Sequence, residues 1–181
     1  MKSFCLSLLG GLILSSFVAT AVGAERQRIT IGGAAPDAKV ISDFLFPEAQ
    51  CENVQYQCMA VRPSVERSVG MEVRFPTASA ELTPAARAQL EPLGKVLASR
   101  NGKLSPGEIV IEGHTDARGS SELNKRLSQK RADSVVQHLV ATYNVDAKAL
   151  QPVGRGKDQL REGSRPDSEV NRRVELVRKP K

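Results

Sequence analysis

The sequence predicts an α/β (α+β) protein: a two-layer sandwich in which helices cover one face of a mixed β-sheet, with elements in βαβαβ(β) order. Residues 71–75 and 173–178 alternate apolar with charged side chains, as half-buried strands do. The apolar strand at residues 109–111 leads through a polar turn, residues 113–119, into a long amphipathic helix. Strands that alternate with two helices give a sheet with one covered face.

The first 24 residues are typical of a secretory signal peptide. Lys2 precedes an apolar run, residues 6–22, and small residues at 22–24 form a cleavage site before Glu25. An uncleaved membrane anchor is the alternative, disfavoured because the run is short and broken by paired glycines and serines. Cys5 lies too early to be a lipidated cysteine. Removing residues 1–24 removes one lysine and no acid, so the net charge falls from +6 to +5.

Residues 25–70 are predicted to form an arm or small subdomain. Residues 29–31 are a candidate short strand and residues 40–46 an apolar segment. After signal cleavage, Cys51 and Cys58 are the two remaining cysteines, and in an oxidising compartment they predict a local disulfide. Such a bond would stabilise the fold by about 2–3 kcal/mol. The alternative is a pair of free thiols in a mobile arm.

The later elements follow from local signals. Thr83 and Pro84 are a good N-cap and first residue for a helix reaching about residue 100, which Pro92 should kink or interrupt near Gln89. A second helix should begin near Ser120 or Ser121. A third strand is expected at residues 150–153, followed by a charged loop, residues 157–169, and the last strand.

Three blocks of residues resemble the OmpA-like C-terminal peptidoglycan-binding domain family. They are G-H-T-D-x-x-G at 113–119, N-x-x-L-S-x-x-R-A at 124–132 and N-R-R-V-E at 171–175. The likeness extends upstream to Phe75 and covers roughly residues 71–178. The resemblance implies an OmpA-like fold for a domain at residues 71–181. It also implies a ligand, the meso-diaminopimelate of the peptidoglycan stem peptide.

Asp116 in the turn and Arg131 on the helix are the main candidate ligand-binding residues. The side-chain end of diaminopimelate carries an ammonium and a carboxylate on one carbon. A carboxylate such as Asp116 accepts from the ammonium, and a guanidinium such as Arg131 matches the carboxylate with two parallel hydrogen bonds. Amides of the turn and of the helix start are expected to add donors. The resemblance implies that Thr115 and Asn124 are secondary contacts and that Leu127 shapes the wall.

Each candidate also has a purely structural interpretation. Asp116 could cap the turn or the first helical amides, and Arg131 could be a solvated helix charge. His114 is expected to be a packed, hydrogen-bonded side chain, and Ser128 to bond back to its own helix. Residues 171–173 either brace the pocket or end a loop.

These observations predict a non-catalytic, wall-associated protein in the periplasm of a Gram-negative bacterium. Neither a catalytic motif nor a phosphate loop is present, and two histidines are too few for a metal site, so no cofactor or metal is expected. The alternative is an adaptor subunit of a larger envelope complex for secretion, motility or outer-membrane assembly, which docks an outer-membrane or envelope protein through residues 25–70. The isoelectric point near 9.5 suggests a nucleic-acid-binding protein as a further alternative, but the lysines and arginines are spread over several elements rather than along one stripe. A wall hydrolase would need an acid/base pair that the sequence does not show.

Overall fold

Five strands and three helices make up the part of the chain that the structure, a computed structural model, describes: residues 26–31, 37–47, 66–71, 73, 75–76 and 78–180. The predicted signal peptide and the Cys51–Cys58 pair lie outside these residues. In order, the elements are β1 (Gln27–Ile31), α1 (Ala38–Leu45), β2 (Arg67–Met71), α2 (Pro84–Ala98), β3 (Ile109–His114), α3 (Ser121–Tyr143), β4 (Leu150–Gly156) and β5 (Val174–Arg178), with short 3₁₀ turns at Ala147–Ala149 and Glu169–Asn171.

The strands form one mixed sheet in the order β1-β2-β5-β3-β4. The β1–β2 and β3–β4 pairs are parallel, and β5 runs antiparallel to both β2 and β3. The last strand therefore lies at the centre of the sheet and joins its two parallel halves.

The hydrophobic core lies between the sheet and the three helices. Alternate strand residues such as Val69, Ile111 and Leu176 point towards this layer, because successive side chains of a strand face opposite sides. The helices contribute apolar residues at helical spacing, among them Ile41 and Leu45 of α1, Leu90, Leu93 and Leu97 of α2, and Ala132, Val135 and Leu139 of α3. The predicted two-layer α/β sandwich is confirmed.

The helix N-termini follow their sequence signals. Thr83 caps α2 by accepting from the Ala86 amide at 3.1 Å, and Ser120 caps α3 by accepting from the Leu123 amide at 3.3 Å. Pro92 does not interrupt α2, contrary to expectation, because the helix runs unbroken from Pro84 to Ala98. Burial of apolar residues on both sides of Pro92 outweighs the single backbone hydrogen bond that proline removes.

Two predicted strand boundaries are wrong. The strand expected at residues 71–75 is β2 at Arg67–Met71, because its pairing with β5 ends where Met71 faces Val174. The Val73 amide then donates to the Met71 carbonyl at 2.9 Å, which turns the chain out of the ladder. At the other edge, β4 continues three residues beyond Val153, through two glycines that lie against α3.

The described residues before 71, which are 26–31, 37–47 and 66–70, contribute to the same sheet and core. The predicted short strand at residues 29–31 is part of β1, and α1 buries Ile41 and Leu45 completely. The boundary at residue 71 is predicted from the extent of the family resemblance, and it stays a prediction. Among the described residues, no helix is both long and apolar enough to span a bilayer.

Candidate functional site

The topology brings four chain segments to one edge of the sheet. The parallel strands β3 and β4 both end there, and the turn that follows β3 carries Thr115 and Asp116. The antiparallel β5 begins at the same edge, directly after Arg172 and Arg173. Helix α3 also starts there, so that its first three turns, which carry Asn124, lie beside the turn.

All five residues predicted for the site line one cavity of about 340 Å³ at this edge. Its wall consists of Phe75, Ala78, Thr115, Asp116, Arg118, Asn124, Leu127, Arg131 and Arg172. Phe75 and Arg172 belong to the blocks that carried the resemblance, whereas Ala78 and Arg118 were not among the sequence candidates.

Asp116 is both a turn residue and a member of the cavity wall. Its Oδ1 accepts from the Arg118 amide at 3.2 Å, so the turn-capping interpretation is correct in part. Its Oδ2 accepts from Arg172 Nη1 at 2.9 Å. The residue is 8% exposed. Each carboxylate oxygen has two lone pairs, and one on each oxygen remains for a further donor.

Arg131 is a buried cation rather than a solvated helix charge. It is 5% exposed, and its guanidinium carbon lies 4.9 Å from the centre of the Phe75 ring. Its Nε donates to the Ser79 carbonyl at 3.1 Å and its Nη2 to the Pro76 carbonyl at 3.5 Å. Burial lowers the pKa of Arg131, nearby Arg172 lowers it further, and Asp116 raises it. Across the described residues, Arg131 has no acidic partner in an ion pair.

The three secondary candidates differ in what they can offer. The Thr115 hydroxyl is buried without a hydrogen-bond partner, so it can bond to a molecule in the cavity. Asn124 holds the turn, since its Nδ2 donates to the Arg118 carbonyl at 2.6 Å. Leu127 is half-buried and supplies apolar wall.

Three amides of the turn are already occupied within the protein, so they cannot bind the ligand's carboxylate as was expected of the turn. The Thr115 amide donates to the Gly156 carbonyl, the Ala117 amide to the Pro166 carbonyl, and the Arg118 amide to Asp116. Residues 119–122, where α3 begins, do not line the cavity. Guanidinium groups, not helix-terminal amides, are therefore the donors that face the cavity.

Asn171 braces the loop that supports the turn. Its Oδ1 accepts from the amides of Arg161 and Glu162, and its Nδ2 donates to the carbonyls of Arg165 and Pro166 at 3.1 Å. Because the Pro166 carbonyl accepts from the Ala117 amide, Asn171 fixes one side of the turn. Residues 171–173 are thus a brace as well as the end of a loop.

Arg172 is the cavity residue whose role the sequence left undecided. Its hydrogen bond to Asp116 raises the pKa of Arg172 despite partial burial, and a second bond reaches Glu169 at 2.7 Å. The N-R-R-V-E block was the available signal, but it does not say which of two adjacent arginines faces the cavity. The structure places Arg172 in the cavity wall and Arg173 on Glu175.

His114 lies on the sheet face opposite the helices, in a buried network with Glu112 and Glu175. Ligand atoms of the three residues lie within 4.8 Å of one another, as in a metal site. Arginines already hold the carboxylates: Arg26 and Arg155 bond to Glu112, and Arg28 and Arg173 to Glu175. Even with Glu66, which also pairs with Arg26, four guanidinium groups face three carboxylates, and this excess of positive charge disfavours a metal cation.

The predicted hydrogen bond of His114 is wrong, because neither ring nitrogen has a partner. Burial, reinforced by the surrounding arginines, lowers the pKa of His114 from 6.5 to about 3. The imidazole is therefore neutral at any physiological pH. Ser128 bonds to the Lys125 carbonyl of its own helix, as expected, and also accepts from the Gly156 amide at 2.8 Å.

A sequence model of the OmpA family matches residues 74–173, more than half of the chain. The chain belongs to the OmpA family. The matched range contains the whole cavity wall, from Phe75 to Arg172.

Two curated OmpA-family relatives illustrate the likeness. The probable lipoprotein YiaD of Escherichia coli (strain K12) is 38% identical over 111 residues, which is 60% of this chain and 48% of that protein. The peptidoglycan-associated lipoprotein of Pseudomonas aeruginosa is 38% identical over 100 residues, which is 54% of this chain and 56% of that protein. The match thus spans about half the length of each relative. Neither is named as an enzyme, in agreement with the expected absence of catalysis.

Among solved structures, the OmpA-like domain of FopA1 from Francisella tularensis subsp. tularensis SCHU S4 has the same fold. The TM-score is 0.50 at 18% identity, and the match covers 60% of this chain and 71% of that chain. At this identity the likeness shows the fold alone.

Proposed function

We propose that this OmpA-family protein is a non-catalytic peptidoglycan-binding protein that grips the diaminopimelate of the stem peptide. One observation carries the proposal: Arg131, a buried guanidinium with no acidic partner among the described residues, shares a cavity with the carboxylate of Asp116. A desolvated cation without a directly bonded acidic partner is costly, and a ligand carboxylate would lower that cost.

The cavity offers complementary groups for both charges of the ligand's zwitterionic end. The free lone pairs of Asp116 can accept from the ammonium without displacing Arg172, and Arg131 can donate to the carboxylate. The unpartnered Thr115 hydroxyl adds one further hydrogen bond. These groups support binding of a zwitterion.

The relative from Pseudomonas aeruginosa is named a peptidoglycan-associated lipoprotein, which supports this ligand. With the signal peptide that the sequence predicts, the proposal places the protein in the periplasm of a Gram-negative bacterium, associated with the wall. An envelope or outer-membrane protein bound through residues 25–70 would then couple the wall to a larger assembly. This partner is a hypothesis, suggested because the segment lies outside the residues 74–173 that match the family.

Nucleic-acid binding is a weaker explanation of the basic character. The arginines near the C-terminal end are engaged internally: Arg172 with Asp116, Arg173 with Glu175, and Arg178 with Glu108. They do not form the free basic stripe that a phosphate backbone requires.

The test measures binding to purified diaminopimelate-type sacculi and to a soluble diaminopimelate stem peptide by titration calorimetry. Asp116→Asn keeps an acceptor for the Arg118 amide but removes the negative charge. Arg131→Lys keeps the positive charge but removes the planar guanidinium that can donate two parallel hydrogen bonds. We expect Asp116→Asn to cost about 2–5 kcal/mol of binding free energy. Arg131→Lys should cost at least about 1.4 kcal/mol, a factor of ten.

The matched controls are Asp43→Asn and Arg161→Lys, which make the same chemical changes at exposed positions outside the cavity. Both should bind as the wild-type protein does. Unchanged sacculus binding by Asp116→Asn and Arg131→Lys would overturn the proposal.

A further inference from the structure

A second groove adjoins the cavity along helix α3. It has a volume of about 570 Å³ and shares two wall residues, Ala78 and Leu127, with the cavity that contains Asp116 and Arg131. The two spaces therefore lie on opposite sides of an apolar partition formed by Ala78 and Leu127. A ligand that extends from the cavity past Ala78 and Leu127 would meet the groove.

The groove is mainly apolar with a basic rim. Leu123 is 58% exposed in this groove. A leucine so open to solvent contributes little hydrophobic stabilisation to the fold. Ala80 adds apolar wall, and Arg126 and Lys130 supply the rim. Arg126 pairs with Glu122 at 3.0 Å, whereas Lys130 makes no ion pair within the described part of the chain. The groove thus combines apolar surface with one unneutralised ammonium.

Arg131 holds in place the chain segment that separates the cavity from the groove. Its hydrogen bonds to the carbonyls of Pro76 and Ser79 hold the segment that carries Ala78, whose φ of 53° is in the left-handed region that residues with a β-carbon rarely adopt. The partition between cavity and groove is therefore fixed before any ligand binds.

We propose that this groove binds the stem-peptide residue that follows diaminopimelate, a D-alanine, with its methyl group on Leu123 and its terminal carboxylate near Lys130. The inference rests on the proposed function. When the zwitterionic end of diaminopimelate occupies the cavity, its peptide-linked carbon lies four C–C bonds away, about 5 Å. The next residue then falls within reach of the adjoining groove, whose apolar wall and positive rim match a methyl group and a carboxylate.

The experiment compares three synthetic stem peptides by titration calorimetry with the whole protein. The first ends at diaminopimelate, the second adds D-alanine, and the third is the second with its terminal carboxylate amidated. We expect the peptide with D-alanine to bind about three- to tenfold more tightly than the peptide without it, from one buried methyl group and one charge contact. Amidation should remove part of this gain.

Two variants and one control assign the gain to the groove. Leu123→Gln, a change at an exposed helix position, should abolish the gain from the methyl group without changing the affinity of the peptide that ends at diaminopimelate. Lys130→Gln should make the acid and the amide bind equally. Lys148→Gln, the same change at the far end of β4, should behave as the wild-type protein does.

Equal binding of the peptides with and without D-alanine by the wild-type protein would overturn this inference and leave the proposed function intact. So would a gain that survives in Leu123→Gln. Failure of all three peptides to bind would instead overturn the proposed function, and this inference with it.

Discussion

Arg172 Nη1 lies 2.9 Å from Asp116 Oδ2, so the carboxylate at the centre of the candidate site is compensated within the protein itself. Arg131, by contrast, is buried without an ion pair in the described residues. The asymmetry means that the cavity lacks an anion more than it lacks a cation. A ligand's carboxylate is therefore expected to contribute more to affinity than its ammonium.

Neighbouring arginines of the N-R-R-V-E block should differ in their effect on stability. Arg173 is bonded to Glu175 at 2.6 Å, and both side chains are almost fully buried. Arg173→Ala leaves the Glu175 carboxylate with only the partly exposed Arg28 as an ion-pair partner, and should cost up to about 3–5 kcal/mol. Arg172 is 34% exposed and its charge is screened by solvent, so Arg172→Ala should cost less than Arg173→Ala, even though it removes the ion-pair partner of the buried Asp116. Urea unfolding of the two variants measures the difference, and equal losses would contradict it.

Thr115→Val should move stability and binding in opposite directions. The Thr115 hydroxyl is buried without a partner, so its replacement by a methyl group of similar size should leave stability unchanged or raise it by up to about 1 kcal/mol. If the hydroxyl bonds to the ligand, affinity for the stem peptide falls. Thermal unfolding and titration of the same sample test both parts. A destabilised variant would show that the hydroxyl has a partner in the protein.

Acid should destabilise the fold through His114. Its pKa is about 3 in the folded protein and near 6.5 when unfolded, so between these values the unfolded state binds more protons and stability falls as the pH falls. The loss should be about 2 kcal/mol between pH 7.5 and pH 5. The charged groups around the ring are Arg26, Arg28, Glu112, Arg155, Arg173 and Glu175.

Urea unfolding at the two pH values measures this loss. His114→Gln should flatten the dependence, since no imidazole is left to titrate. His138→Gln is the control and should keep most of it: burial and Arg87 also lower the pKa of His138, but this side chain is only half-buried, whereas His114 is almost fully buried. An equal acid loss in His114→Gln and the wild-type protein would refute the assignment.

Gly113→Ala should damage both the fold and the site. A β-carbon at Gly113 would lie 2.2 Å from the Ser128 carbonyl oxygen, so α3 would have to move away from β3 and carry Arg131 with it. We expect a loss of about 2–4 kcal/mol and weaker binding of the stem peptide. Gly163→Ala is the control, since its β-carbon would meet nothing within 4 Å. Denaturant unfolding of both variants decides the matter.

The sequence predicted the fold class and the membership of the cavity wall because both depend on local patterns. The turn after β3 and the first turns of α3 are contiguous in the chain, so Asp116 and Arg131 could be placed together from the local pattern, and the family resemblance added Asn124 and Leu127. Ser120 and Thr83 cap their helices as their residue types suggest. Whether residues 113–119 grip diaminopimelate stays a proposal.

What the sequence did not predict depends on contacts between distant segments. Arg172 is 56 residues from Asp116, and only the register of β5 decides that it, rather than Arg173, enters the cavity. The start of β2 is likewise set by its partner, and Pro92 remains helical because of the core packed around it. The ring nitrogens of His114 lack hydrogen-bond partners because arginines from distant segments bond to the neighbouring carboxylates.

The central position of β5 dictates when the molecule can fold. Arg67 of β2 pairs with Arg178 of β5, so β2 cannot pair with β5 until more than a hundred further residues have been synthesised. Until then the two parallel halves of the sheet have no strand in common, and late, long-range pairing of this kind is slow. A chain terminated before Val174 should give the circular dichroism of an unfolded protein. If the predicted signal peptide directs export, a chain that is still being synthesised would have no stable tertiary structure to oppose its translocation.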